Sequence, residues 1–421
     1  RTQFKTSIGK FEGVEEALAR IGGTTYMMDA TRTMTAGAVD LGEKPSVVSA
    51  IAKYHMTEGM RHVITDAMDV HGGKGICLGP NNYLGRAHQL FPVAITVEGA
   101  NILTRSMIIF GQGAIRGHPF VLKEIKAANN PDPAMALSEF DAALFGHMGF
   151  TVSNAARSLW LGITGGEGLS VPGSLETKRY YQQMTRFTAA FGLIADISMF
   201  VLGGQLKRKE KLSARLGDIL SQLYMSSCAL KRYEDQGRQK ADLPLLEWAL
   251  HDAFFKIQIA FDGVLANFPN RFVAWVMRRL IFPKGLTLTA PSDAMGRAVA
   301  KILIEPNAAR DRLTAGIYVS GDENDVIGGL QAAFLAATEA EAIEAKIRAA
   351  EKVGTLVSRQ VSEQLIEALK LGVISPSEAE MLRRAQVLKR RVIMVDDFPK
   401  DFGKEQLAKP PVELVRTASG Y

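Results

Sequence analysis

Cysteine is nearly absent from this sequence of 421 residues, which contains only Cys77 and Cys228. So few cysteines exclude a disulfide scaffold, and two lone thiols are typical of a protein in a reducing compartment. We also find no run of about 18 uncharged apolar residues, the length needed to cross a bilayer. The sequence therefore predicts neither a disulfide-rich domain nor a membrane-spanning helix.

A strong excess of charge of one sign is also lacking. The 50 Lys and Arg residues stand against 44 Asp and Glu residues, which gives a net charge of +6. This mild excess indicates no nucleic-acid partner, although it suits an acidic ligand or an anionic membrane surface. Hydrophobic residues make up 47% of the chain and charged residues 22%. These fractions exclude wholesale disorder and are typical of a soluble globular protein.

Apolar residues recur three to four positions apart through most of the chain, which predicts helices. Residues 11–30 and 46–70 follow this pattern. Residues 187–203 are apolar around most of the helix, so we expect that helix to be buried. Period-2 strands are scarce, and residues 317–319 are the best candidate. The sequence predicts a mainly α fold.

The stretch 129–133, Asn-Asn-Pro-Asp-Pro, is the most linker-like part of the chain. We place a domain boundary there. This division predicts a first helical domain at 1–128, a second at 134–395 and an extended, proline-containing tail at 396–421.

Metal-binding patterns are missing. The seven histidines form no HExxH pair, and the two cysteines form no CxxC pair. We therefore predict no metal site.

Two glycine clusters invite a nucleotide-binding interpretation. Gly73 and Gly75 open one cluster and Gly111 opens the other, both with GxGxxxG spacing. The dinucleotide fingerprint requires GxGxxG between a strand and a helix, so a Rossmann domain is not expected. Gly72 and Gly73 can still present backbone N–H groups to a phosphate or an adenine. A tight turn between two helices explains the same residues.

Glu98 is the only ionisable residue in the apolar stretch 93–100. Burial there would raise the pKa of its carboxyl group, which suits a general base working near neutral pH. The alternative is a glutamate in the first turn of a helix that begins near Ala100, where the helix dipole favours an anion.

Residues 268–284 combine aromatic and basic side chains. Their helical spacing places Phe272 and Trp275 on one face, with arginines nearby such as Arg279. This pattern is typical of a helix at the interface of an anionic membrane. A core helix whose arginines reach out to solvent fits nearly as well.

Three motifs together resemble the C-terminal half of an acyl-CoA dehydrogenase. They are Arg1-Thr-Gln-Phe4, His71-Gly-Gly-Lys-Gly75 and Val97-Glu-Gly-Ala-Asn101. The chain is most similar to the large bacterial fatty-acid-degradation (FadE-type) members. These carry an extra C-terminal helical domain, which residues 178–181 and 213–220 resemble.

The resemblance implies a fold and an activity. The fold is the family's C-terminal helical bundle followed by a second helical domain. The activity is FAD-dependent oxidation of a fatty acyl-CoA to trans-2-enoyl-CoA in β-oxidation, with Glu98 as the base that removes the α proton. The implied FAD-binding residues are Arg1, Gln3, Phe4, Gly72, Gly73, Gly75 and Asn101.

The chain departs from the family's pattern after Glu98. Many relatives have Thr after the Glu-Gly pair and a polar residue two positions further on, whereas this chain has Ala100 and Ile102. Side-chain contacts to the cofactor from these two positions are therefore not expected.

The resemblance also implies partners and a location. The expected partners are a fatty acyl-CoA, an electron-transfer flavoprotein as acceptor and further copies of the chain. We expect a bacterial cytoplasmic protein, with peripheral contact to the inner membrane through 268–284 as a further expectation. Because the chain starts at the flavin-site arginine, we expect it to be the second half of a larger protein and to bind FAD poorly alone. The alternative function is a non-catalytic helical module for membrane attachment or assembly.

Overall fold

The computed structural model describes residues 1–358 and 360–395, which belong to two compact units. Unit 1 comprises Arg1–Val70 and Ala87–Tyr318. Unit 2 comprises His71–Arg86 and the described residues from Val319 onward. Helices dominate both units, which confirms the predicted mainly α class. The predicted tail at 396–421 lies outside the described residues.

Helices follow one another along the described part of the chain with mostly short connections. The α-helices are α1 (Glu12–Asp40), α2 (Ser46–His71), α3 (Gly73–Ile76), α4 (Gly85–Thr96), α5 (Asn101–Leu103), α6 (Gly113–Gly117), α7 (Val121–Ala128), α8 (Pro133–Thr164), α9 (Lys178–Leu202), α10 (Glu210–Asp235), α11 (Leu243–Ala266), α12 (Arg271–Ile281), α13 (Asp293–Ile304), α14 (Ala308–Leu313), α15 (Val326–Lys352), α16 (Val361–Lys370) and α17 (Pro376–Ile393). A π-helical segment, Thr104–Gln112, joins α5 to α6, and short 3-10 turns lie at Ile8–Lys10, Gly203–Arg208 and Lys240–Asp242.

A single small hairpin supplies all the strand structure of residues 1–358 and 360–395. Strand β1 (Thr2–Gln3) pairs antiparallel with β2 (Thr6–Ser7). The strand predicted at 317–319 is wrong, because these residues form irregular backbone after α14. A strand requires a hydrogen-bonded neighbour, and this short apolar run has none in the described chain.

The core of unit 1 is centred on α10 and α11, which pack along each other. Leu216, Leu230 and Phe261 are completely buried between them and their neighbours. Burying such a side chain contributes about 1.5–3 kcal/mol. Helix α1 approaches this centre closely at Gly23, where an added Cβ would lie 1.9 Å from Trp248. A larger residue at position 23 would push α1 away from α11.

Helices α8 and α9 form a second packed pair of unit 1. Asp132 caps the start of α8, because its carboxylate accepts the N–H groups of Ala134 and Met135 at 2.9 and 3.3 Å. The linker-like stretch 129–133 is thus a tight connection between α7 and α8. The predicted burial of 187–203 is confirmed for Phe187 and Leu193, although Phe200 is exposed.

Two described helices are long and apolar enough to cross a membrane, judged by length and composition alone: Lys178–Arg208, which extends α9, and Val326–Lys352. The sequence was searched for about 18 uncharged apolar residues in a row, and charged residues interrupt both of these helices. Half of the apolar segment of α9 is buried inside the protein. The side chains of Arg186 and Asp196, on the same helix, are buried as well. We therefore describe α9 as a core helix of unit 1.

Unit 2 has its own core. Helix α15 packs along α17 and contributes Ile343 and Ile347, which meet Leu382 and Ala385. A capping box starts α17, since Ser375 and Glu378 bond each other's backbone N–H groups. The two units have limits other than the predicted boundaries at 1–128 and 134–395, which stay predictions.

Candidate active site

Glu98 lies on a tight turn between α4 and α5. Its φ is +55°, and that of Gly99 is +94°. The left-handed region is unfavourable for a residue with a Cβ, so Glu98 holds its conformation only because its surroundings impose it. The Glu98 side chain is exposed in this chain, and the predicted burial of its carboxyl group is not observed.

Apolar side chains surround this turn and are exposed with it. They are Leu90, Val93, Val97, Ile102 and Leu103. An exposed patch of this kind, with a single carboxylate in it, is typical of a surface that another molecule or chain segment covers. Covering this patch would withdraw Glu98 from water, which burial within this chain alone does not do.

Lys53 of α2 holds the Glu98 turn in place through hydrogen bonds. Its ammonium group donates to the carbonyl of Gly99 at 2.6 Å, to Oδ1 of Asn101 at 2.5 Å and to the carbonyl of Ile95 at 3.3 Å. These three acceptors lie on both sides of Glu98. Sequence reasoning missed Lys53, because it lies on a separate helix far from Glu98 in the chain and no local pattern links the two residues.

Asn101 is 3% exposed and starts α5. Its amide nitrogen donates to Thr57 at 2.9 Å and to Glu58 at 2.8 Å, while its oxygen accepts from Lys53. These contacts use the amide fully. The predicted contact of Asn101 with FAD is untested and stays a prediction.

A cleft of about 440 Å³ lies beside this network in unit 1. Its lining includes Asn101 and Ile102 from the turn and Tyr54, Glu58 and Arg61 from α2. The cleft therefore offers both apolar and charged side chains next to the Glu98 turn.

A larger groove of about 1340 Å³ runs between α2 and helices α1, α10 and α11. His55 lies in the wall of this groove. The Nε2 atom of His55 has no hydrogen-bond partner among the described residues. Burial lowers the pKa of His55 to about 3, and the positive charges of Lys256 and Arg105 act in the same direction. His55 is therefore neutral at physiological pH.

The predicted residues Arg1, Gln3 and Phe4 meet in the N-terminal hairpin. Phe4 and Lys5 form its two-residue turn with φ values of +49° and +59°, as the twist of such hairpins demands. The Phe4 side chain is 90% exposed. When the Gln3 amide is turned, its oxygen accepts from the Arg1 guanidinium at 2.8 and 3.1 Å. The N-terminal segment thus carries both an exposed aromatic ring and a guanidinium group.

The predicted glycines Gly72, Gly73 and Gly75 belong to unit 2. Gly72 precedes α3 with φ +62° and ψ −135°, a conformation open essentially to glycine alone. Asn82 secures the loop, since its amide nitrogen donates to the carbonyls of Gly75 and Cys77 at 3.0 Å each. The loop is a tight interhelical turn, and its glycine backbone is still suited to close approach by a ligand.

A cluster of ionisable residues that sequence reasoning missed joins α7, α8 and α9. His118 Nε2 lies 2.7 Å from Asp196, and Thr151 donates to the same carboxylate at 2.7 Å. His147 lies between two carboxylates, with Nδ1 2.7 Å from Glu124 and Nε2 3.4 Å from Asp196. Two histidines and an aspartate this close could in principle hold a metal ion.

The hydrogen bonds of His118 argue against metal binding there. Its Nδ1 accepts the backbone N–H groups of Phe120 and Val121 at 3.2 Å each. Nε2 must then carry the ring proton, which it donates to Asp196. A metal at Nε2 would require the loss of that proton or of both backbone contacts. We interpret the cluster as a buried hydrogen-bond network, and the predicted absence of a metal site stays a prediction.

Two family models match the sequence. Residues 1–110 match "Acyl-CoA dehydrogenase, C-terminal domain", and residues 115–398 match "Acyl-CoA dehydrogenase, C-terminal, bacterial type". Together they cover nearly all of the described residues, and the second alone covers more than half of the chain.

Individual proteins agree with the family models. The chain is 25% identical over 235 residues to a very long-chain specific mitochondrial acyl-CoA dehydrogenase of Mus musculus, covering 55% of this chain and 33% of that protein. It is 22% identical over 301 residues to a probable acyl-CoA dehydrogenase of Bacillus subtilis, covering 65% and 44%. The chain thus spans between a third and a half of the length of these relatives.

A solved structure shares the fold. The crystal structure of an acyl-CoA dehydrogenase complexed with FAD from Bacillus anthracis superposes with a TM-score of 0.53 at 16% identity. The likeness covers 72% of this chain and 50% of that one.

Proposed function

This chain belongs to the acyl-CoA dehydrogenase family, and from that premise we propose that it supplies the catalytic-base part of an FAD-dependent enzyme. The proposed reaction converts a fatty acyl-CoA to trans-2-enoyl-CoA in fatty-acid β-oxidation. One observation carries the proposal: Glu98 is a carboxylate within an exposed apolar patch, on a turn whose backbone is held from two sides. A base that must remove a weakly acidic α proton needs a fixed position, and the apolar patch would lower the polarity around Glu98 once another molecule or chain segment covers it.

The residues of this chain suit FAD in chemical terms. Arg1 can pair with a pyrophosphate, the exposed ring of Phe4 can contact an aromatic base, and Gln3 can bond to either. The backbone at Gly72, with Gly73 and Gly75, allows a ligand to approach closely. When bound, FAD would supply the hydride acceptor for the β carbon. The part of this chain in the reaction is to present Glu98 to the α proton and to exclude water with its apolar patch.

The test is an anaerobic titration of the full-length protein with fatty acyl-CoAs of several chain lengths. We expect the visible absorbance of the oxidised flavin to be bleached and enoyl-CoA to form in equal amount. Flavin that stays oxidised with every acyl-CoA tested, although bound stoichiometrically, would contradict the proposed activity.

The remaining partners follow from the proposed reaction. Reduced flavin must be reoxidised, and we propose an electron-transfer flavoprotein as the acceptor. We also propose that copies of the protein associate and that the enzyme works in the bacterial cytoplasm. Mixing the substrate-reduced protein with oxidised electron-transfer flavoprotein should return the flavin to its oxidised form.

A second proposal concerns α12, which offers an exposed aromatic surface. Phe272 is 72% exposed and Trp275 57% exposed, with their rings stacked 6.3 Å apart. The Arg279 guanidinium lies 5.9 Å from the Trp275 ring, whereas Arg278 is paired with Asp262. Aromatic rings beside an arginine suit the interface of an anionic membrane. This surface supports peripheral contact with the inner membrane, in addition to catalysis or in its place.

Liposome co-sedimentation tests the membrane proposal. Replacing both Trp275 and Arg279 (Trp275→Ser, Arg279→Gln) is expected to weaken binding to phosphatidylglycerol vesicles at least about fivefold, because an aromatic anchor and a cation are lost. Tyr318→Ser, at an exposed aromatic residue outside α12, is the matched control and should bind as the parent does. Equal binding by the double variant and the control would remove the support for this surface.

A further inference from the structure

We propose that Lys53 is a positioning residue for Glu98: its ammonium group ties the end of α4 to the start of α5 and so fixes the turn that carries the base. The inference rests on the proposed function, because it assigns Lys53 a part in the same reaction. Neither the sequence motifs nor the family resemblance singled this residue out.

The hydrogen bonds of Lys53 reach residues on both sides of Glu98. An ammonium group has three hydrogens, and Lys53 has three acceptors: the carbonyls of Ile95 and Gly99 and the side-chain oxygen of Asn101. The first acceptor precedes Glu98 by three residues and the other two follow it within three. A single cation therefore sets the separation between the two helix ends.

The Ile95 carbonyl lies in the last turn of α4, where carbonyl groups have no partner within the helix. A cation is favoured at such a C-terminal end by the helix dipole. The Gly99 carbonyl also accepts from Thr104 at 3.2 Å, so the other side of the turn is held by two donors. These contacts explain how Glu98 is kept in a left-handed conformation that its own side chain disfavours.

Lys53 is itself held in place through Asn101. The Asn101 amide joins Lys53 to Thr57 and Glu58 of the same helix, α2. Glu58 is paired in turn with Arg61 at 3.3 Å. Positive and negative side chains therefore alternate along the network. Through it, the end of α4 and the start of α5 are both attached to α2.

The charge of Lys53 also matters for the base. Burial lowers the pKa of Lys53, while the negative charges of Glu58 and Glu98 raise it and so favour the ammonium form. Loss of Lys53 should therefore release both sides of the turn and displace the Glu98 carboxylate.

The experiment compares three variants of the full-length protein in stopped-flow flavin reduction by acyl-CoA: Lys53→Met, Lys53→Arg and the control Lys231→Met. Lys231 is a helical lysine that pairs with Asp235 within α10. For Lys53→Met we expect normal flavin content, a reduction rate constant about 10–100-fold lower and an acyl-CoA Kd changed less than about threefold.

Lys53→Arg keeps the charge but cannot place one nitrogen among three acceptors. We expect it to have a smaller loss of rate than Lys53→Met, whereas Lys231→Met should match the parent in every readout. If Lys53→Met does not fold, Lys53→Arg decides: a parent-like rate constant would overturn the inference, and a lower one at unchanged Kd would support it.

Failure of the inference can be told apart from failure of the proposed function. If the parent flavin is bleached by acyl-CoA but Lys53→Met reacts equally fast, the function stands and Lys53 has no positioning role. If the parent is not bleached, amide hydrogen exchange over residues 95–104 still tests the contact. Faster exchange in Lys53→Met than in Lys231→Met supports the tie, and equal exchange overturns it.

Discussion

Glu98→Gln in the full-length protein is expected to leave FAD bound and to slow its reduction by acyl-CoA by about 10²–10⁴-fold, the usual contribution of a general base. Glutamine matches the size of glutamate and keeps a hydrogen-bonding end, but it cannot accept the α proton. Because the Glu98 side chain is exposed, the change should not disturb folding. The loss should appear in the rate constant rather than in acyl-CoA binding.

Single-turnover flavin bleaching under anaerobic conditions measures this effect directly. Glu43→Gln is the matched control, since Glu43 is an exposed carboxylate in the connection between α1 and α2. It should reduce its flavin at the parent rate. If the flavin of Glu98→Gln were bleached as fast as that of this control, another residue would have to be the base.

Asp196→Ala is expected to lower the free energy of unfolding by about 1.5–3 kcal/mol, the usual contribution of a hydrogen bond to a charged group. Asp196 is 4% exposed and accepts from His118 and Thr151, with His147 close by. Alanine would leave the buried ring N–H of His118 without its acceptor, whereas the Thr151 hydroxyl would keep only the carbonyl of His147, at 3.0 Å. Desolvated donors of this kind are costly because no water replaces the lost partner.

Chemical denaturation followed by circular dichroism, with thermal melting as a second measure, tests this effect. Asp235→Asn removes an aspartate from an exposed pair with Lys231 and should change stability by no more than about 1 kcal/mol. If Asp196→Ala were as stable as Asp235→Asn, the network at α7, α8 and α9 would make no net contribution. Both variants remove an aspartate carboxylate, so the difference between their unfolding free energies measures the effect of burial.

The fold class was predictable because a single physical signal dominates this sequence. Apolar residues at helical spacing predicted helices at 11–30, 46–70 and 187–203, and helices occupy these stretches, although α1 continues to Asp40 and α9 begins at Lys178. The same signal predicted burial of Phe187 and Leu193. The apolar run at 317–319 misled, since a strand depends on a partner elsewhere in the chain.

The positions of the candidate site residues were less predictable, because they depend on contacts across the chain. A carboxylate among apolar neighbours marked Glu98, but whether those neighbours bury it depends on what covers them, and in this chain they are exposed. Lys53 reaches the turn from a separate helix. The side chains of His118 and Asp196, which come from distant parts of the chain, meet only through packing. None of these contacts leaves a periodic trace in the sequence.

The left-handed backbone at Glu98 sets stability against activity at a single residue. A residue with a Cβ in this region costs about 1–2 kcal/mol relative to glycine. Selection for a more stable protein would therefore favour glycine at position 98, whereas selection for turnover would retain the carboxylate. Stabilised variants found by screening for folding alone should lose glutamate at this position, so a useful screen must select for flavin reduction as well.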